Sequence, residues 1–390
     1  MRRVLATAPE LRVGDAEVAA RAAELRQAGS WPNPSVELRA DDKLGQEDSR
    51  GGTALTRAGI SQPLPLTRLS RQRTAAEAAV RGAEASRRSQ QLQLEQETAR
   101  AFYALQLATA RFKLAQDRLA LAVDYPDRSG GRANRDPLVR YLSPLERQRL
   151  AVLREEAQQT VLTAQREHEK ALIGFRSLLG LPPDTAATLV PIEPPAAPPA
   201  LAELEHGFEF HPAVVAARQE AESARAAVAV AESQRFVDPA LGVFRERDFL
   251  NGARRDVMVV ELTVQIPMWN LNRGPVDKAK AEAIRAQANL AVLERDAASR
   301  LRLSYIELTR LIEQIERMRA SLIAPARDLF DLTRRAFAAG EANILALVDA
   351  NNTWFDAQAR YFEVLKDGAL AAASLRLAIG QSVVTGEVMP

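Results

Sequence analysis

Apolar residues recur along this chain with two different periods. Over most of its length Ala, Leu and aromatic side chains return every three or four positions, as in Leu92, Leu94, Ala99, Phe102, Leu105 and Ala108, the spacing of a helix with one packed face. Leu69 to Asp124 and Val276 to about Leu322 hold this pattern with no interior proline. At ~1.5 Å per residue the first predicts a helix on the order of 80 Å long, well beyond an ordinary globular helix. Pro144 to Leu179 and Ile344 to Ile379 are long enough to return alongside these as helical hairpins.

Elsewhere the period drops to two. In Asp256 to Ile266, Met258, Val260, Leu262, Val264 and Ile266 fall on one face and Val257, Val259, Glu261, Thr263 and Gln265 on the other, the signature of a strand with one apolar face. Ser35 to Asp41 alternates in the same way, and Ala54 to Gln62 and Ala240 to Arg247 do so more weakly. The Gly-bearing polar stretches Asp42 to Gly52 and Asp248 to Arg254 are expected to be the loops of two antiparallel hairpins, 35–62 and 240–266. Each strand has about the length that crosses a bilayer when tilted. Four strands are too few to close a barrel, and helices this long do not fold back to cover them. Several copies sharing one barrel remove both difficulties, with Met258, Val260, Leu262 and Val264 toward lipid. Trp31 and Trp269 flank the strand pairs where interfacial aromatics are placed.

The whole arrangement is written twice, at an offset of about 200 to 205 residues. Pro9 matches Pro212, Asn33-Pro34 matches Asp238-Pro239, Pro63 matches Pro267, Phe102-Tyr103 matches Ser304-Tyr305, and Leu178-Leu179-Gly180 matches Ala378-Ile379-Gly380. The first repeat is assigned to residues 1–181, the second to 206–390, and each comprises a helix, a β-hairpin and a long helical hairpin. Between them 182–205 is a proline-rich connector, which the seven prolines from Pro182 to Pro199 keep out of helix. The fold class is therefore mainly α with a small antiparallel β part.

Composition narrows the chemistry. The formal net charge is +2 with no long run of one sign, which argues against a nucleic-acid partner. Cysteine is absent, so disulfides, thiolate metal sites and thiol catalysis are excluded. No apolar run reaches the roughly 18 to 20 residues of a membrane helix. Met1-Arg2-Arg3 is not followed by an apolar core, because Pro9 and Glu10 interrupt, so no export signal is read in this chain. Phosphate-binding, nucleophile-elbow and zinc-protease motifs are missing from the sequence. No enzyme activity, cofactor or metal site is expected. His168, His206 and His211 lie in different segments, and His211 before Pro212 reads as a cap or connector residue.

The Asn33-Pro34 and Asp238-Pro239 strand starts, the Gln62-Pro63-Leu64 strand exit and the stretch Phe337-Ala338-Ala339-Gly340-Glu341-Ala342-Asn343-Ile344-Leu345-Ala346-Leu347-Val348-Asp349-Ala350 together resemble a TolC-type outer-membrane factor, nearest the branch that serves heavy-metal efflux pumps. The resemblance covers essentially the whole chain. It implies a homotrimer in which each protomer gives four strands to a twelve-stranded barrel in outer-membrane lipid and its helices to an α-barrel crossing the periplasm of a Gram-negative cell. It implies docking through the helical tips onto a periplasmic adaptor, and through that an inner-membrane proton-driven pump. Gly340, Glu341 and Asn343 would form the docking tip. Asp349 matches an acidic position that lines the periplasmic constriction, while Ala346 stands where relatives often carry a second acid. Arg140 stands where the first repeat would match Gly340, within reach of the irregular stretch Asp124 to Pro137. The exported substrate stays open between metal ions, drugs and protein toxins. A soluble coiled-coil scaffold is the alternative outside this class, and it leaves the two apolar-faced hairpins without a use.

Overall fold

The computed structural model describes residues 5, 8–40, 56–66, 68–124, 143–182, 189–207, 210–250, 253–339 and 341–383. Along the chain run α1 (Pro9–Ala28), β1 (Ser35–Ala40), β2 (Thr56–Pro63), α2 (Arg68–Asp124), α3 (Pro144–Leu178), α4 (Leu201–Gly207), α5 (Pro212–Ser233), β3 (Ala240–Leu250), β4 (Ala253–Thr263), α6 (Arg273–Met318), a π-helical turn (Arg319–Ile323), α7 (Ala324–Ala338) and α8 (Ile344–Ala378). Among the described residues no helix is long and apolar enough to cross a membrane. The tandem repeats do not fold as separate bodies. One compact unit takes 13–87 and 213–294, the other 1–12, 88–212 and 295–390, so each unit draws matching pieces from both repeats.

The first unit holds all four strands in one antiparallel sheet of order β1-β2-β3-β4. The two sequence hairpins are thus fused through a β2–β3 ladder running from Thr56↔Arg247 to Pro63↔Ala240. Two strand boundaries differ from the alternation pattern. The ladder of β3 and β4 continues to Leu250↔Ala253, so 248–250 and 253–254 of the expected polar loop belong to the strands, and residues 251 and 252 lie outside the described residues. The strand also stops at Thr263, leaving Val264 and Ile266 beyond it. Its partner β3 starts at Ala240, and Pro239 before it has no N–H to extend the ladder. The Pro239 carbonyl instead accepts the Leu64 N–H at 2.7 Å.

In the second unit the core follows the helical stripes. Leu94 and Leu105 of α2 pack with Phe175 and Leu179 at the end of α3 and with Ala8 and Leu11. Farther along, Ala122 meets Leu150, Leu153 and Ala157 of α3 and Ile344 and Leu347 of α8. Leu301 and Leu308 of α6 pack with Leu204 of α4 and with Ala371, Leu375 and Ile379. Helix begins at Leu201, inside the range assigned to the connector. Glu95, 1% exposed on α2, holds the chain after α8: its carboxylate accepts the Ser382 hydroxyl at 2.8 and 3.0 Å and the Val383 N–H at 2.8 Å.

The repeat is visible in the helix ends. Gly180 and Gly380 both have positive φ, +60° and +75°. In each case the glycine N–H bonds three residues back (Ser177, Leu377) and the next N–H bonds five back (Arg176, Arg376), a Schellman end that requires a residue tolerant of the left-handed region. At the other end of the returning helices Ser143 and Asn343 are matching N-caps. Ser143 forms a reciprocal capping box with Glu146, whose carboxyl is held below its ordinary range chiefly by the bond from the Ser143 backbone N–H. The π-helical turn between α6 and α7 also has a local cause. Pro325 cannot donate and its ring crowds the carbonyl of Ser321, so the ladder widens just before it, with the Ala324 N–H reaching back to the Arg319 carbonyl.

Candidate functional site

The sheet has its polarity reversed relative to a soluble protein. Val36, Leu38, Ile60, Leu241, Val243, Met258, Val260 and Leu262 share one face through the register pairs Val36↔Ile60, Ile60↔Val243, Val243↔Val260 and Leu241↔Leu262. All of them are exposed, from 41% for Leu241 to 78% for Leu38. A continuous apolar face left open in this way needs an apolar surrounding. Val264, 58% exposed, carries the same surface past the end of β4. At the sheet end where β1 starts and β4 finishes, Trp31 and Trp269 are 60% and 91% exposed. Among the described residues both outer strands, β1 and β4, have a partner on one side only.

The opposite face is polar and well packed. Arg57 of β2 bonds Glu246 of β3 at 3.1 Å and Glu261 of β4, and pairs with Glu37 of β1 at 3.6 Å, so one guanidinium ties all four strands together. Its guanidinium carbon lies 3.7 Å from the ring centroid of Phe244. That ring, 3% exposed, lies flat on the sheet over Gly59 and Gly242. A Cβ at Gly59 would stand 2.4 Å from Phe244 Cδ1, and one at Gly242 would stand 2.3 Å from Phe244 Cε2. Two missing side chains thus make the seat for one aromatic. This cluster escaped the alternation pattern because Phe244, a large apolar residue on the polar face, blurs it. The available signal was glycine inside strands, which marks a close approach.

The α7–α8 junction carries the other candidate residues. Glu341 is exposed, and its backbone N–H closes the end of α7 on the Ala336 carbonyl at 2.9 Å. Asn343 caps α8, its side-chain oxygen accepting the Ala346 N–H at 2.9 Å. Gly340 lies outside the described residues. The irregular stretch before α3 likewise falls within 125–142, outside them. Asp349 is exposed on α8 just past the buried pair Ile344 and Leu347. The junction and the sheet belong to different compact units.

Two of the three histidines have local partners. His168 stacks on Phe112, with centroids 5.6 Å apart. The His211 ring nitrogen lies 3.2 Å from the Leu377 carbonyl, and burial lowers its pKa. Among the described residues no three potential metal ligands converge.

Helices far longer than a globular core requires and a sheet whose open face is apolar are features that suit a membrane channel subunit. Residues 1–125 and 208–381 match the family described as outer membrane efflux protein, and the chain belongs to that family. It is a channel component of outer-membrane efflux machinery, in a family of channels and not of enzymes. Similar proteins include the cobalt-zinc-cadmium resistance protein CzcC of Cupriavidus metallidurans, 24% identical over 92% of this chain and 83% of the relative. Protein CyaE of Bordetella pertussis is 27% identical over 98% of this chain and 84% of its own. Among solved structures, the outer-membrane channel OprN matches with a TM-score of 0.76 at 20% identity, covering 100% of this chain and 89% of its own. VceC of Vibrio cholerae matches with a TM-score of 0.76 at 15% identity, covering 97% and 94%.

Proposed function

We propose that three copies of this chain close one twelve-stranded barrel in the outer membrane, and that the channel passes metal cations delivered by a periplasmic adaptor and an inner-membrane pump. The observation that carries this reading is the sheet itself: among the described residues it has four strands, one partner missing at each edge, and an apolar face with nothing over it. Joining the β4 edge of one copy to the β1 edge of the next removes every open edge at once, and three copies give a number of strands that closes without strain. The likeness to CzcC favours a metal cargo. In this reading the membrane-facing residues are Met258, Val260, Leu262 and Val264, and the α7–α8 junction with Gly340, Glu341 and Asn343 is the adaptor-docking tip.

Asp349 is assigned to the pore constriction. It is exposed and makes no ion pair among the described residues, so its charge is available to the lumen. Three such carboxylates around a narrow axis attract cations and repel anions, with little screening where the opening is narrower than the ~8 Å Debye length. Because Ala346 offers no second acid, the filter rests on one carboxylate per protomer. Reversal potentials of single channels in planar bilayers should show cation preference that falls in Asp349→Asn. A variant with the selectivity of the parent removes Asp349 from the pore.

A further inference from the structure

Asn351 occupies a place in α8 that a hydrophobic residue would fill. It stands one turn after Leu347 and one turn before Phe355, in a stripe with Ile344 in which the four residues are 0% to 4% exposed. Ile344 and Leu347 bury this stripe against Ala122 of α2 and Leu150, Leu153 and Ala157 of α3. Asn351 itself is 0% exposed, and among the described residues neither its oxygen nor its nitrogen has a hydrogen-bond partner. Burial is complete within one chain, so a neighbouring copy in an assembly does not reach the amide. A buried asparagine that sets helix register normally pairs its amide, and this one does not.

Its neighbours show what such a residue does here. Asp349, two positions earlier and so roughly 200° around the helix, is exposed, which places Asn351 on the packed side at the level where Asp349 looks outward. Asn352, the next residue, accepts a bond from Arg118 of α2 at 2.6 Å, a polar tether at the same height. While α8 stays packed, the amide is desolvated without compensation. When α8 loosens from α2 and α3, water reaches the amide and that penalty disappears. The packed arrangement is therefore the one this residue opposes.

We infer that Asn351 is the release point of the constriction, a residue that lowers the difference between a packed, narrow position of α8 and a loosened, wider one. The inference rests on the reading that Asp349 lines the pore. The full chain, assembled in detergent and reconstituted in planar bilayers, supplies the test, with Asn351→Leu and Asn351→Asp recorded beside the parent. Leucine should raise the unfolding temperature and reduce the open probability by roughly tenfold, the size of effect one desolvated amide can have. Aspartate, whose charge cannot remain dry, should raise the open probability. An assembled Leu variant with unchanged gating, or one that melts lower than the parent because the amide was paired after all, overturns the inference. Selectivity that responds to Asp349→Asn while gating ignores both Asn351 variants would sink this inference and leave the conduit reading intact. Selectivity indifferent to Asp349 would sink the reading on which it rests.

Discussion

Arginine in place of Val260 is expected to destabilise the membrane-inserted protein by about 2–4 kcal/mol, the cost of a cation on the lipid face of a barrel near its midplane. Val260 is 71% exposed, pairs with Val243 in the interior of β4, and is flanked on the same face by Met258 and Leu262. Among the described residues the carboxylate on that face is Asp256, four residues earlier and already paired with Arg245 and Arg247. Thr263→Arg is the matched control: it lies on the polar face, at the strand end, with its hydroxyl 3.3 Å from Glu261. It is expected to be nearly neutral. Urea unfolding of both variants in phospholipid vesicles separates the faces, and equal losses at the two positions would contradict the assignment of lipid and lumen.

A second large loss, on the order of 3 kcal/mol, is expected from Gly59→Val. The added Cβ would lie 2.3 Å from the Val243 carbonyl oxygen and 2.4 Å from the Phe244 ring. The ring can turn away, but the carbonyl belongs to the β2–β3 ladder and cannot move without breaking it. Displacing Phe244 also removes the seat over which Arg57 lies, and with it the position from which Arg57 reaches Glu37, Glu246 and Glu261. The β2–β3 ladder is the link between the two sequence hairpins within the sheet. Assembly should therefore suffer with stability, as a loss of the oligomer on native gels. Gly29→Val, where only carbonyl oxygens at 4.0 Å lie near, is the contrasting case with a small effect. A Gly59 variant that assembles and unfolds like the parent would mean that Phe244 does not rest on the sheet.

How much of this could be read in advance depended on whether the information was local. Helix α2 is expected from Leu69 to Asp124 and runs from Arg68 to Asp124, because a 3.6-residue stripe of that length has no competing structure. Gly180 and Gly380 were visible as repeat markers, and their shared positive φ explains why glycine stands at both. The pairing of Leu250 with Ala253 also had a signal in the chain, because the sequence between them, Asn251-Gly252, is the dipeptide most typical of two-residue hairpins. The polar look of the flanking 248–254 concealed it, since a strand end carrying Arg and Asp resembles a loop in the sequence. The break in the helix after Met318 was foreshadowed by Pro325, whose influence falls four residues upstream of itself.

Features that depend on partners far apart in sequence were not legible. Arg57 gains its meaning from Glu246 and Glu261, 189 and 204 residues away, and nothing in its own surroundings signals the pairing. Asn351 reads as an ordinary polar residue on an Ala-rich helix until the helices packed around it are known. Asn343 was expected at the docking tip on the strength of a resemblance, and its observed contact is a helix cap at a position that Ser143 repeats in the first half. The capping box at Ser143 and Glu146 was a readable signal that the repeat comparison passed over, because the residues just before it match so poorly.

The most direct test of the conduit is the number of chains in the assembly. In the proposed reading the two open edges and the exposed apolar face of the four-stranded sheet are closed by copies of the chain, and the measurement is the protein mass of the complex extracted from outer membranes in mild detergent. Three times the 42.7 kDa of one chain is the predicted result, unchanged on dilution. A stable monomer or dimer would leave four or eight strands, and either would contradict the shared twelve-stranded barrel.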